Sequence, residues 1–253
     1  MKTCVILPTF NEAQNLEAIV RHLLTLPIPD LSIYIVEDHS RDGTGEIADS
    51  LCARFPERVF VLHRPGKLGL GTAYVAGFRW ALARGADFVI QMDADFSHSP
   101  NYLPPFIAQM NEYDVVVGSR YVPGGKLDPR WSGWRYLLSK WANSVWVRVI
   151  LGMQTRDATA GFKCWHRGAL EKISLDGVRS NGYVFQVEMA YGAEQQGLRI
   201  LEYPIYFEDR RVGKSKMTVP VKLEAAWRVI EIRLRYGALK KNLARVEWLR
   251  EPA

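Results

Sequence analysis

Two carboxylates, Asp93 and Asp95, stand one residue apart directly after the strand-like run Phe88–Met92. Acidic groups so spaced, at the end of a buried strand, can share a hard divalent cation and leave it sites for phosphate oxygens. Mg²⁺ or Mn²⁺ suits so oxygen-rich a pair. Such a cation would neutralise a diphosphate as its bond to a sugar breaks. A short acidic motif also arises as a solvated turn, and its place after an uncharged run is what favours the chemical reading.

Asp38 follows Val36 in a similar position. A carboxylate there can bond ribose hydroxyls or a base edge; the alternative is an acidic loop opening the helix signalled by Asp42-Gly43-Thr44. Gly66-Lys67-Leu68-Gly69-Leu70-Gly71 is glycine-rich. It lacks the spacing and the Lys-Ser/Thr ending of a phosphate-binding P-loop, so it reads as a tight turn and disfavours an ATPase. His22, His39, His63, His98 and His166 show no metal-ligand spacing, and His98 reads as a helix-entry residue. No Gly-x-Ser-x-Gly elbow supports acyl transfer. The cations cluster instead. Arg120 follows Val117-Gly118-Ser119, Arg135 and Ser139 are one helical turn apart, and Arg210, Arg211, Lys214 and Lys216 crowd Gly213. Guanidinium forks and ammonium point charges suit a phosphate acceptor or a diphosphate donor; the competing reading is a set of solvated surface groups.

The elements that must position these groups alternate. Val5-Ile6-Leu7, Ile33–Val36, Val59–Leu62, Phe88-Val89-Ile90 and Val115-Val116-Val117 read as strands. Between them lie helical patterns: Leu16, Ile19, Val20, Leu23 and Leu24 behind a capping Asn11, then Ile47, Leu51 and Phe55, then Thr72–Arg84, then Leu103–Asn111. This order predicts an α/β fold, a Rossmann-like doubly wound, mostly parallel sheet with helices on both faces. Ligands bind beyond the carboxyl ends of such strands, where all the polar loops above converge. The stretch from Asp157 to Lys216 reads as short strands and turns, and one long helical pattern runs from Val219.

A chain of 253 residues, 48% hydrophobic and 24% charged, fits one large domain. It excludes a disordered tail, a collagen-like repeat and a disulfide-stapled miniprotein. Lys+Arg is 33 against Asp+Glu 27, a net charge of +6, which suggests an anionic partner: nucleotide, phospholipid surface or nucleic acid. Cys4, Cys52 and Cys164 are odd in number and widely spaced, as in a reduced, cytosolic chain. The longest apolar stretch, around Trp141–Leu151, is interrupted by Arg148, so no membrane crossing is expected. Leu223, Ala226, Trp227, Ile230 and Leu234 form a helical stripe, with Arg228 and Arg235 on one flank and Lys222, Arg233 and Lys240 on the other. Such a helix either packs on the core or lies on an anionic bilayer. Trp131, Trp134, Trp141 and Trp146 suit an interfacial patch or a core equally.

Several blocks, in order, resemble the inverting GT-A-fold glycosyltransferases of family 2: Leu7-Pro8-Thr9-Phe10-Asn11-Glu12, Val36–Thr44, Gly69–Ala73, Met92–His98 and Gly118-Ser119-Arg120-Tyr121. Arg135-x-x-x-Ser139, Asp157–Lys163, Gly182–Met189 and Arg210–Lys216 are similar to the polyprenol-phosphate (dolichol-phosphate) mannose synthases. The resemblance covers about Val5 to Lys216. It implies transfer of a hexose, with GDP-mannose the favoured donor and UDP-glucose the alternative, to a polyprenyl or dolichyl phosphate. It implies Mg²⁺ or Mn²⁺ as cofactor and a peripheral place on the cytoplasmic face of a membrane. By the same resemblance Pro8, Thr9, Asn11, Glu12, Glu37, Asp38, Gly71 and Asp93 hold the donor nucleotide, and Asp93 and Asp95 the metal. Ser97 stands where some relatives have a metal-holding Gln, and its shorter side chain puts coordination there in doubt. Arg120, Arg135 and Ser139 receive the lipid phosphate, and Arg210 and Lys216 close from a loop hinged near Gly213. Glu37 departs from the family's usual Asp.

The mechanism implied needs no strong base, because a phosphate monoester is already anionic; it needs cations that offset repulsion from the diphosphate. A single in-line displacement would invert the sugar's anomeric centre. Asp157 or Glu188 could orient the sugar or a basic side chain. Residues 1–218 are expected to form the catalytic domain and 219–253 a C-terminal helical segment. A hydroxyl acceptor would want a carboxylate base in place of the basic cluster. A non-catalytic nucleotide-sugar-binding module predicts a degenerate acidic pair, and a nucleic-acid binder has only the net charge behind it.

Overall fold

The computed structural model describes residues 1–130, 133, 137, 140–182, 184–209, 219–236 and 246–249. The strands are β1 (Thr3–Thr9), β2 (Leu31–Glu37), β3 (Val59–His63), β4 (Phe88–Gln91), β5 (Val115–Ser119), β6 (Lys126–Leu127), β7 (Lys163–His166), β8 (Ile200–Pro204), β9 (Tyr206–Phe207) and β10 (Val246–Trp248). The main sheet runs β10-β8-β5-β7-β4-β1-β2-β3, and β6 and β9 form a small second sheet. Every pairing in the main sheet is parallel except those of β7, which runs antiparallel between β4 and β5.

The period-2 alternation of β1 separates the two cores. Val5 and Leu7 face one layer with Leu16, Ile19 and Val20 of α1 (Leu16–Thr25) and Leu51 of α2 (Thr44–Arg54). Cys4 and Ile6 face the other, with Tyr74 and Phe78 of α3 (Leu70–Ala83). The first layer also takes α4 (Leu103–Gln109), through Leu103 and Phe106. Beyond it come the short α5 (Arg148–Leu151), entered through a π-turn at Ala142–Val147, and α6 (Arg167–Lys172).

Three local expectations change. Asn11 caps nothing: it takes a left-handed φ of 57°, and α1 begins only at Leu16. Its side chain instead accepts from Arg41 N, and its own N–H donates to Ser40, bolting the loop after β1 to the loop after β2. Second, the stretch after Asp157 contains a twelve-residue helix, α7 (Val184–Gln195), every residue of which is buried. A helix covered on all sides carries no amphipathic stripe, so periodicity misses it. Third, α8 (Val219–Tyr236) packs through Val229 and Ile232, against Val184, Val187 and Tyr191, while Trp227 and Leu234 of the expected stripe stay exposed.

The strand order reverses at β1, which has β4 on one side and β2 on the other. Crossovers leave in opposite directions there, so the loops after β1 and β4 part and open a crevice.

Candidate active site

A cavity of about 360 Å³ occupies that crevice. Of the residues singled out in the sequence, Pro8, Thr9, Glu12, Asp38, Asp93 and Asp95 line it. Phe10, Lys67, Gly69, Leu70, Asn181 and Gly182 join them. Three expected members do not line it. Glu37 is buried behind it, accepting from His39 N and Ser40 N, and these bonds hold its carboxyl below the usual range although burial pushes the other way. Asn11 braces the loop, and Gly71 lies within α3.

The turn into α3 is built on glycine. Gly69 has φ 101°, and a Cβ there would fall 2.2 Å from Asn181 Nδ2. Asn181 Oδ1 accepts from Gly71 N, and its Nδ2 donates to Leu68 O. The segment from Ser180 to Gly182 therefore seals one wall of the cavity. Glu188 of α7 anchors it by accepting from Ser180 N, and also receives Arg235 Nη1 of α8 at 2.6 Å. Glu188 thus orients a basic side chain, at a distance from the acidic pair's loop.

Along and beside the cavity wall several buried polar atoms make no hydrogen bond. Thr9 Oγ1, Asp38 Oδ1 and Arg64 Nη1 are buried without hydrogen bonds. Arg64 Nη1 lies 3.0 Å from Asp38 Oδ1, close enough to attract but out of line for a hydrogen bond. Burial raises the Asp38 carboxyl, and the Arg64 charge offsets part of that rise. Unpaired buried polar atoms along a cavity wall mark where a polar ligand completes the bonding. Arg64 escaped the sequence reading because it sits alone after β3, outside any cluster of cations.

The acidic pair is held from both sides. Tyr74 OH donates to Asp93 Oδ1 at 2.9 Å, and Ser97 Oγ donates to Asp95 Oδ1 at 2.6 Å. Ser97 therefore engages the carboxylate beside it, an outer support for Asp95. Among the described residues no group of three His, Cys, Asp or Glu side chains converges. Two carboxylates without a protein cage fit a small hard cation that takes its other ligands from water and substrate phosphates. His98 is buried, accepts from Asp93 N through Nδ1 and stacks on Phe162 with centroids 5.0 Å apart. It precedes the 3-10 turn Pro100–Tyr102, as expected, but its work is to brace the Asp93 loop. Desolvation lowers its pKa.

Arg120 follows β5. Its Nε and Nη2 donate to Asp157 at 2.7 and 2.6 Å, and Nη2 also reaches Thr159 Oγ1. Burial opposes the guanidinium charge, but the Asp157 carboxylate outweighs it and holds the pKa above the ordinary value. Of the two residues weighed as orienting groups, Asp157 is the one that aims Arg120. The Arg120 head and His98 lie against the same Phe207 ring, at 5.3 and 5.5 Å. A Cβ on Gly161, four residues after Asp157, would stand 3.6 Å from Asp93 Oδ2. The guanidinium and the Asp93 loop are thus linked through Phe207, His98 and Gly161. Lys163, fully buried beneath it, is lowered by desolvation to about 7 and donates to Gln186. Arg135, Ser139, Arg210 and Lys216 lie outside the described residues, as do Trp131 and Trp134.

On the helical segments around Trp141 and Trp227 the surface turns apolar. Among the described residues nine large hydrophobic side chains are exposed, and six sit on two neighbouring helical segments: Leu137, Trp141, Val145 and Val149, with Trp227 and Leu234. Side chains four apart drift one way around an α-helix and the other way around a π-turn, so the turn at Ala142–Val147 keeps the first four in one ridge. Trp146 joins the segments, stacking on Trp141 and donating from Nε1 to Ala226 O. Lys140, Arg228 and Arg233 are exposed around the ridge. No described helix is long and apolar enough to cross a membrane.

Residues 4–174 match the sequence model of Glycosyl transferase family 2. The chain is 43% identical over 245 residues to the undecaprenyl-phosphate mannosyltransferase of Micrococcus luteus, covering 96% of this chain and 99% of that one. It is 43% identical over 235 residues to the polyprenol monophosphomannose synthase of Mycolicibacterium smegmatis, covering 92% and 88%. In fold it is similar to glucosyl-3-phosphoglycerate synthase from Mycobacterium tuberculosis in complex with Mn²⁺, UDP-glucose and phosphoglyceric acid. That likeness has a TM-score of 0.62 at 16% identity, over 92% of this chain and 79% of that one.

Proposed function

Since this chain belongs to glycosyltransferase family 2 and has the GT-A fold, we propose that it transfers mannose from GDP-mannose to a polyprenyl monophosphate, giving a β-linked lipid phosphosugar. The observation that carries the acceptor class is the largely buried Arg120, clamped by Asp157 and sharing the Phe207 ring with His98, which braces the Asp93 loop. A hydroxyl acceptor needs a carboxylate base at that position. A phosphate monoester needs a fixed cation, and one is held there. Mannose is supported by both relatives' names, and guanosine by the resemblance in sequence blocks.

In this reading Thr9, Asp38 and Arg64 complete their bonding on the nucleoside, and Pro8 and Glu12 shape the wall around it. Asp93 and Asp95 would hold Mg²⁺ or Mn²⁺. That ion, when bound, offsets charge on the departing diphosphate. Arg120 draws the acceptor phosphate toward the sugar and screens it from the diphosphate, so that its oxygen attacks in line and the anomeric centre inverts. Arg135, Ser139, Arg210 and Lys216 are assigned to the phosphates on sequence alone. The ridge of Leu137, Trp141, Val145 and Val149, with Trp227, Leu234 and their basic surround, supports peripheral seating on an anionic bilayer that presents the acceptor. The free Cys4, Cys52 and Cys164 suit the cytoplasmic face.

The test offers GDP-mannose and UDP-glucose separately, each labelled in the sugar, with polyprenyl phosphate and Mg²⁺, and counts the organic phase. Label in lipid from GDP-mannose is expected. Label only from UDP-glucose changes the donor, and none from either donor overturns the reading.

A further inference from the structure

Glu202 lies on β8 opposite Val117 of β5, with none of its surface exposed. Its Oε1 accepts from Ser119 Oγ at 2.8 Å and from Asp157 N at 2.9 Å, and its Oε2 accepts from Arg156 N at 2.8 Å. All three partners donate, so the site is built for a carboxylate acceptor. Burial, reinforced by the nearby Asp157 charge and opposed by these bonds, pushes the carboxyl up to about 7. An interior strand position is cheaper to fill with an aliphatic side chain. The bonds therefore indicate a task, and what they join identifies it. They tie the end of β5 to the turn at Arg156 and Asp157. Those are the two segments that meet at Arg120: the first carries it, and the second grips its Nε and Nη2. Among the described residues Nη1 of Arg120 makes no hydrogen bond.

We propose that Glu202 is a positioning residue for the acceptor phosphate, because it fixes which edge of Arg120 is occupied by Asp157 and which edge is left for the incoming anion. The assignment rests on the polyprenyl-phosphate reading of the site. Glu202 touches neither reactant; it acts through Ser119, Asp157 and Arg120.

The experiment measures KM for each substrate at saturating concentration of the other, using the full chain and a dispersed short-chain polyprenyl phosphate. Glu202→Gln keeps the shape but sets an amide N–H₂ against a backbone donor. Acceptor KM should rise about ten- to hundredfold, the equivalent of one charge-assisted hydrogen bond, while donor KM stays within about twofold. Ser119→Ala removes the short bond to Glu202, with a long one from Tyr121 N, and should raise acceptor KM alone, by about threefold or more; it carries the test if the glutamine variant does not fold. A fall in kcat with both KM values unchanged reports fewer folded sites and overturns the proposal, as does a parallel rise in both. Absence of transfer by the wild-type chain would instead overturn the functional reading.

Discussion

At the scale of single residues, the decisive feature is a charge held before its substrate arrives. Arg120 is one-tenth exposed and Asp157 not at all, so their pairing is insulated from solvent. Removing one member of such a pair strands the other without compensation, at about 3–5 kcal/mol. Arg120→Ala is therefore expected to lose most turnover and also to lower the melting temperature. Asp95→Ala should lose as much turnover; its carboxylate accepts from Ser97 N and Oγ within its own loop. Turnover per folded molecule, followed beside thermal unfolding, separates the two effects; wild-type turnover in either variant would remove that residue from the site. Asp93, Asp95 and Arg120 could be picked out in the sequence because each follows a strand. Thr159 and Glu202 could not, since their importance lies in contacts with segments up to 83 residues away.

At the scale of elements, the donor cavity depends on how α3 begins. Gly69 has φ 101° and ψ 156°, a region essentially closed to other residues. Gly69→Ala adds both backbone strain and a collision with Asn181. It should cost about 1–3 kcal/mol of stability and raise donor KM more than acceptor KM. An unchanged donor KM would detach this turn from nucleotide binding. The glycine-rich turn was recognisable from composition, but its partner was not, because Asn181 reaches Gly71 from 110 residues further along the chain, just before α7. That helix also had no readable period: burial on every face leaves hydrophobicity without direction.

At the scale of the whole molecule, the catalytic crevice and the apolar ridge are joined by a short path. Arg148 Nε of α5 bonds Met153 O, and the chain then runs through Thr155, held by Glu194, to Asp157. The surface proposed to meet the bilayer is thereby set against the segment that aims Arg120. Replacing Trp141, Trp227 and Leu234 together by Ser should weaken sedimentation with vesicles containing anionic lipid by about tenfold or more, since each buried side chain of this size contributes about 1.5–3 kcal/mol. Thermal stability should hardly change, because all three side chains are exposed. Undiminished sedimentation would move the membrane contact elsewhere.

The sequence by itself determined the alternation of strands and helices, the sheet edge at which the polar loops gather, and the acidic pair and arginine at that edge. Those signals are local: each depends on residues within a turn or two of one another. Tertiary structure decided the rest. It placed β7 antiparallel in the middle of the sheet and turned the packed face of α8 toward Val229 and Ile232. It made Asp157 the partner of Arg120, and Asn181 the neighbour of Gly69. These outcomes arise from packing between distant segments, where shape and desolvation choose the partner and no spacing along the chain encodes the choice.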